Sequence, residues 1–175
     1  RNYAGKNDNK IVGEKIRLDI ANCQFNDNVV QNGEACGGAI CIRGSLVNIV
    51  DSKFTNNQCE SVGGAIDNDG ILTIDNCEFL NNFSDYSGGA ICNYDYETEY
   101  VTLDVSDSTF DANKSKTCGG AIDNMNGGLS VRNSKFLNNS SGYGGAINTI
   151  KGNDVYPVDI DNCTFENNSP DDVSK

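Results

Sequence analysis

One block, repeated six times along this chain of 175 residues, limits its fold more than any other feature. Six of the seven phenylalanines (Phe25, Phe54, Phe79, Phe110, Phe136, Phe165) recur every 25 to 31 residues. Three residues after each stands an asparagine: Asn28, Asn57, Asn82, Asn113, Asn139 and Asn168. Two residues before each stands a small thiol or hydroxyl: Cys23, Ser52, Cys77, Ser108, Ser134 and Cys163. One step earlier is Asn or Asp, at Asn22, Asp51, Asn76, Asp107, Asn133 and Asn162. Seven and five residues before the ring are aliphatics, as in Leu18/Ile20, Leu72/Ile74 and Val158/Ile160. Between blocks runs a second motif, Gly-Gly-Ala-Ile, beginning at Gly37, Gly63, Gly88, Gly119 and Gly144. A fixed period with strand-like alternation and no 3.6-residue spacing specifies a β-solenoid rather than a helical repeat.

Side chains alternate faces along a strand, so the aliphatics at −7 and −5 share a side, as do the −2 residue and the phenylalanine. The step from −5 to −2 is odd, so the chain must bend where Asn or Asp stands, residues that tolerate the left-handed region. A second odd step, from phenylalanine to the +3 asparagine, places another corner there. A Gly-Gly-Ala strand then follows, its isoleucine (Ile40, Ile66, Ile91, Ile122, Ile147) facing in and the next residue (Cys41, Asp67, Cys92, Asp123, Asn148) facing out. The expected fold is all-β: a right-handed single-stranded parallel β-helix of about six turns over residues 16–168. Residues 1–15 read as a cap or partial turn and 169–175 as a polar tail. Identical residues then stack in columns, rings upon rings and amides in ladders.

This reading reverses what the composition suggests. With 26 asparagines and 19 glycines the chain resembles a loose polar segment, yet ten of those asparagines occupy the −3 and +3 columns and ten of the glycines the Gly-Gly pairs. A net charge of −12 argues against nucleic acid as a partner. No run approaches the length of a membrane-spanning helix. Without histidine, no Ser-His-Asp triad, Cys-His dyad or histidine metal site can form. Of the eight cysteines, Cys23, Cys77 and Cys163 share a column interrupted by serine-bearing turns, and Cys41 and Cys92 share another, two turns apart. Two turns are about 9.6 Å apart, beyond disulfide reach. Cys36 and Cys59 lie in neighbouring connections and form the one expected pair. The column Cys41, Asp67, Cys92, Asp123 and the fragment Asp67-Asn68-Asp69-Gly70 raise a metal reading. Neither has the spacing of a recognised site, so no metal or other cofactor is expected, with calcium ranking ahead of zinc as the alternative.

Five Gly-Gly-Ala-Ile motifs alternating with six Phe-x-x-Asn motifs, from about Ile16 to Asn168, resemble the polymorphic membrane proteins of chlamydiae and the adhesin-like surface proteins of methanogenic archaea. The resemblance implies a parallel β-helix displayed at the cell surface or secreted, used for attachment, and without catalytic residues. The function expected is therefore a non-enzymatic adhesin module that binds a glycan or protein on another cell. Two long connections, Cys92–Thr102 and Asn148–Pro157, leave one corner two turns apart and bring Tyr94, Asp95, Tyr96, Glu97, Glu99 and Tyr100 near Asp154 and Tyr156. Tyrosines among acids suit sugars or a protein partner, and these eight residues are the candidate ligand site. The alternatives are a β-helical polysaccharide lyase or hydrolase, and a passive stalk. The enzyme reading is weakened because the repeat sets none of the four arginines (Arg1, Arg17, Arg43, Arg132) beside an acid cluster. Sequons such as Asn82-Phe83-Ser84, Asn113-Lys114-Ser115 and Asn162-Cys163-Thr164 fall on asparagines that the fold itself uses. The repeat does not fix the oligomeric state.

Overall fold

The computed structural model describes residues 16–31, 36–95, 100–150 and 157–174, and its regular elements are all β-strands. They pair in parallel in sheets of ten, six and four strands. In the six-stranded sheet the register runs Phe25, Phe54, Phe79, Phe110, Phe136, Phe165, each residue pairing with its counterpart one repeat on. The chain is thus a β-solenoid climbing one strand spacing per repeat. Six rungs enclose about five turns, one fewer than the motif count suggests.

Three corners shape each turn, each with a residue in the left-handed region. The first is the −3 column, where Asn22, Asp51, Asn76, Asp107, Asn133 and Asn162 have φ of 48° to 55°. The second lies at +2, one residue before the expected place: Asp27, Asn56, Asn81, Ala112, Asn138 and Asn167 have φ of 54° to 57°. The +3 asparagine follows that corner and points inward. Ala112 alone in the column lacks a side chain suited to this conformation, which costs an ordinary residue about 1–2 kcal/mol. Ala112→Asn is therefore expected to stabilise the protein by ~1 kcal/mol, read as a higher urea midpoint at unchanged m-value.

The third corner is the Gly-Gly pair, which forms a turn rather than opening a strand; the strand begins at the isoleucine, as in Ile91–Tyr94 and Ile122–Met125. The first glycine has φ of 61° to 67°. The second lets neighbouring turns approach: a Cβ on Gly64, Gly89 or Gly120 would overlap the carbonyl oxygen of the matching glycine one turn on.

The interior is a set of columns. Successive phenylalanine rings stack with centroids 4.7–5.1 Å apart and planes within 11°. Phe54, Phe79, Phe110 and Phe136 are buried, and Phe25 and Phe165 at the ends are half-buried. Each buried ring contributes about 1.5–3 kcal/mol of transfer free energy, with the stacked contacts adding to it. Ile66, Ile91, Ile122 and Ile147 face the same core with the preceding alanines.

Beside the rings runs an amide ladder. The Nδ2 of Asn28, Asn57, Asn82, Asn113 and Asn139 each donates to Oδ1 of the next asparagine at 2.8–3.0 Å. The second hydrogen goes back to a phenylalanine carbonyl, as from Asn82 to Phe54 at 3.0 Å and Asn113 to Phe79 at 2.9 Å. Each Oδ1 also accepts the preceding asparagine's backbone N–H, as from Asn82 to Asn113 at 3.0 Å. The interior amides are thereby satisfied without water. A second ladder, Asn68, Asn93, Asn124 and Thr149, runs two residues after the isoleucines, with Asn68 donating to Asn93 at 2.7 Å and Asn93 to Asn124 at 2.6 Å. The −2 column caps the first corner: Ser108 Oγ accepts the backbone N–H of Cys77 at 3.0 Å and donates to the Ser106 carbonyl at 2.7 Å.

The stretch expected as a tail instead adds a rung. Val173–Ser174 pairs with Ile147 and Asn148, Ser169 bridges to Ser140, and the Asp172 carbonyl accepts from Ile147 N at 2.9 Å. Parallel neighbours leave backbone donors open at the top of a stack, and residues 169–174 fill them. The expected cap at 1–15 lies outside the described residues.

Candidate functional site

The two long connections leave the solenoid where expected. Tyr94, Met125 and Ile150 occupy matching positions on adjacent strands, so the connections after Tyr94 and Ile150 start at one corner, two turns apart. Between them the intervening turn crosses the same corner with only Asn126-Gly127, Asn126 in the left-handed region. Lower in the stack, one continuous strand, Ile66–Asp75, makes the passage with no insertion.

Below this corner lies an open groove of about 670 Å³ lined by Tyr100, Thr102, Asp104, Gly128, Ser130, Pro157 and Asp159, with Leu103 and Leu129 at its floor. Its walls are the outward positions of the aliphatic strands, where Asp104, Ser130 and Asp159 stand in register. Tyr100 is 60% exposed. Of the eight candidate ligand residues, Tyr100 lines this groove, and Tyr94 and Asp95 stand at the end of the strand that enters the first connection. Tyr96, Glu97, Glu99, Asp154 and Tyr156 lie outside the described residues. The outward Thr102, Asp104, Ser130 and Asp159 went unremarked in the sequence, although alternation with the inward Leu103, Val105, Leu129 and Val131 marks their face. Three arginines do stand beside acids. Arg132 Nη2 donates to both Asp104 oxygens, at 3.1 and 3.3 Å, Arg43 pairs with Asp67, and Arg17 with Asp19. These pairs join adjacent turns or near neighbours in one strand, contacts that no linear spacing displays. An exposed aromatic face beside acceptor oxygens suits a hydroxyl-bearing or cationic ligand.

The column after the isoleucines corrects the expectation that it faces out. Asp67 and Cys92 are wholly buried, Asp123 is 1% exposed, and only Cys41 at the lower end is open. The segment entering each Gly-Gly corner folds back over this column, so that Ser87 Oγ lies 3.9 Å from Cys92 Sγ. A strand face that looks outward by alternation alone is roofed by the chain's own return.

The same fold-back decides the disulfide. Cys36 bonds to Cys41, with Cα atoms 5.7 Å apart, and not to Cys59. Cys36 bridges to Val62 in the next turn, three residues past Cys59, while the left-handed Gly37 brings Cys41 back onto it. Cys23, Cys59, Cys77, Cys92, Cys118 and Cys163 stand outside the disulfide. Among them, Cys77 Sγ donates to the Asp75 carbonyl at 3.2 Å, as serine does elsewhere in its column. The calcium-like fragment Asp67–Gly70 is part of a strand, and Asn68 spends its amide in the second ladder.

Burial sets the acid–base character of this interior. It pushes the Asp67 carboxyl above the usual range although Arg43 Nη2 donates to Oδ2 at 2.7 Å and pulls the other way. It raises Asp123 also, against hydrogen bonds from Asn148 and Ser87, and drives the Cys92 thiol well above its ordinary value. A carboxyl that holds its proton more tightly when folded supports folding below the unfolded pKa. That support is lost as pH rises through the raised value. Asp123→Asn is accordingly expected to raise the melting temperature at pH ~7 and to lose that advantage below pH ~4, near the unfolded carboxylate pKa. Thermal melts across that range check it; a gain independent of pH would contradict burial as the cause.

The fold and groove define a class: a parallel β-solenoid laddered by asparagine, with its two longest connections at one corner. Two segments, residues 51–69 and 76–94, match the Chlamydia polymorphic membrane protein repeat. Each runs from a −3 corner through Phe-x-x-Asn and Gly-Gly-Ala-Ile into the next strand, so the chain carries polymorphic membrane protein-like repeats. No curated protein and no solved structure matches the chain. Among the described residues no helix is long and apolar enough to cross a membrane.

Proposed function

We propose that this chain is a recognition module of a surface-exposed adhesin, binding a glycan or protein of another cell through the groove at Tyr100, Asp104 and Asp159. The observation that carries the reading is that both long connections start at one corner and rejoin the solenoid at Tyr100 and Pro157, which line one groove. A solenoid is free to vary only where side chains leave the stack, and binding faces gather there. The polymorphic membrane protein-like repeats support display at an outer surface. Exposed tyrosine beside carboxylates that sit on rigid strands gives a ligand aromatic contact and hydrogen bonds at little ordering cost.

The test is a glycan array and a cell-attachment assay with the intact chain, with Tyr94→Ser/Tyr100→Ser, and with residues 95–100 replaced by the Asn-Gly link used at 126–127. Attachment is expected to fall about tenfold or more in the tyrosine variant, because aromatic anchors carry most interface energy. Its melting temperature is expected to stay within ~2 °C, since surface changes stay near ±0.5 kcal/mol. Full attachment by both altered proteins would reject the groove and leave the rod a passive spacer.

A further inference from the structure

We propose that the Cys36–Cys41 corner, once its disulfide is opened, is a binding site for a thiophilic divalent cation such as zinc, with Asp67 as the third ligand. The Cys36 and Cys41 sulfurs and an Asp67 carboxylate oxygen all lie within 4.8 Å of one another. Donors on tetrahedral zinc with ~2.3 Å bonds to sulfur stand about 3.7 Å apart, so the two sulfurs, once their bond is opened, must part to that spacing while the Asp67 oxygen closes by about 1 Å at most. Asp67 is wholly buried, and its Oδ1 has no hydrogen-bond partner among the described residues. A buried carboxylate oxygen without a partner is expensive, and a cation is one means of satisfying it.

Charge supports the same assignment. Two thiolates and the Asp67 carboxylate, offset by the Arg43 guanidinium bound to Oδ2, leave two negative charges for a divalent cation to neutralise. Sulfur donors favour zinc and its softer relatives over calcium, which takes six or more oxygens. This reverses the order of preference read from the sequence, which counted carboxylates without knowing which thiols reach them. The corner is distinctive within the solenoid. The corresponding pairs in later turns are Val62/Asp67, Ser87/Cys92, Cys118/Asp123 and Tyr143/Asn148, and none supplies two thiols. Cys41 is exposed, giving an ion entry from solvent, and none of the three ligands lines the groove.

The disulfide and the metal are alternative occupants. A dithiol reductant gives two electrons and two protons to the S–S bond, yielding two thiols while itself closing to a disulfide. The incoming cation then displaces both thiol protons to solvent and takes the two thiolates, leaving one position for water.

The experiment uses the full chain, reduced under nitrogen with a phosphine (which leaves as its oxide, consuming one water) and titrated with cobalt(II), then with competing zinc. One equivalent of cobalt is expected to raise a sulfur-to-cobalt charge-transfer band that zinc removes, while unreduced protein gives none. Cys41→Ser is expected to abolish the band. Asp67→Asn, an amide already used in this column at Asn148, is expected to weaken cobalt binding about tenfold or more. Cys77→Ser/Cys163→Ser is expected to leave it unchanged. A band that survives Cys41→Ser, or no band in a reduced protein whose circular dichroism is native, overturns the proposal. Equal affinity in Asp67→Asn removes the carboxylate from the site.

Discussion

Gly89→Ala is expected to destabilise this protein by ~3 kcal/mol or more, a large part of the ~5–15 kcal/mol that holds a typical domain folded. The added methyl would fall on the Gly120 carbonyl oxygen and within 2.6 Å of the Lys114 backbone. These are backbone atoms, so no rotamer change relieves them. Nor can the turns part locally, because Gly89 N–H donates to Gly119 at 3.0 Å and Ala90 N–H to Ala121 at 2.9 Å on either side of the contact. Gly44→Ala is the internal comparison. Gly44 is also left-handed, φ 59°, but a Cβ there meets nothing within 4 Å. Its replacement is expected to lose only the ~1–2 kcal/mol of the backbone conformation. Urea unfolding of the two variants separates interturn overlap from backbone preference; equal losses would show that overlap is not what the second glycine prevents.

Asn113→Ala is expected to approach the same size, ~3–5 kcal/mol, because one truncation strands several buried groups at ~1–3 kcal/mol each. Asn113 Nδ2 serves the Phe79 carbonyl and Asn139 Oδ1, while its Oδ1 receives both the backbone and the side-chain N–H of Asn82. Asn113 is wholly buried, so water does not replace what is lost. Asn28 makes the same kind of bond to Asn57 but is exposed at the lower end of the stack, and Asn28→Ala is expected to lose under ~1 kcal/mol. Chemical denaturation of the two variants measures the gradient. A flat series would mean that each amide acts alone and that the ladder has no interior.

Much of this architecture is legible in the linear sequence because a solenoid sets each residue upon its own counterpart. The spacing of Phe25, Phe54 and Phe79 already encodes their contacts, and so does that of Asn57, Asn82 and Asn113. The −3 corner was readable because only Asn and Asp occupy it. The +2 corner was misplaced by one residue although five of its six positions are Asn or Asp, because the adjacent +3 asparagine is invariant through the repeat and drew the assignment. The second ladder is less legible because its run of asparagines is only three long, Asn68, Asn93 and Asn124, with Ile42 before it and Thr149 after it.

The candidate site was less readable. Two connections at one corner follow from motif spacing alone, and the structure starts both there. The groove wall of Thr102, Asp104, Ser130 and Asp159 needed the register of three strands, each from a different repeat. Those residues differ in type from turn to turn, so no column announced them.

By itself, then, the sequence determined the period, the stacked interior, the −3 corner and, to within one residue, the +2 corner, since in-register parallel stacking turns sequence similarity directly into contact. Only the tertiary structure decided what happens where the chain returns over itself. It buried Asp67, Cys92 and Asp123 on a face that alternation assigns to solvent, and it joined Cys36 to Cys41 rather than Cys59. The physical reason is one and the same. Alternation tells which side of a strand a residue occupies, but whether that side meets water depends on the path of the segment beyond it. Here that path is bent by a left-handed glycine, whose direction no pattern of neighbouring side chains records.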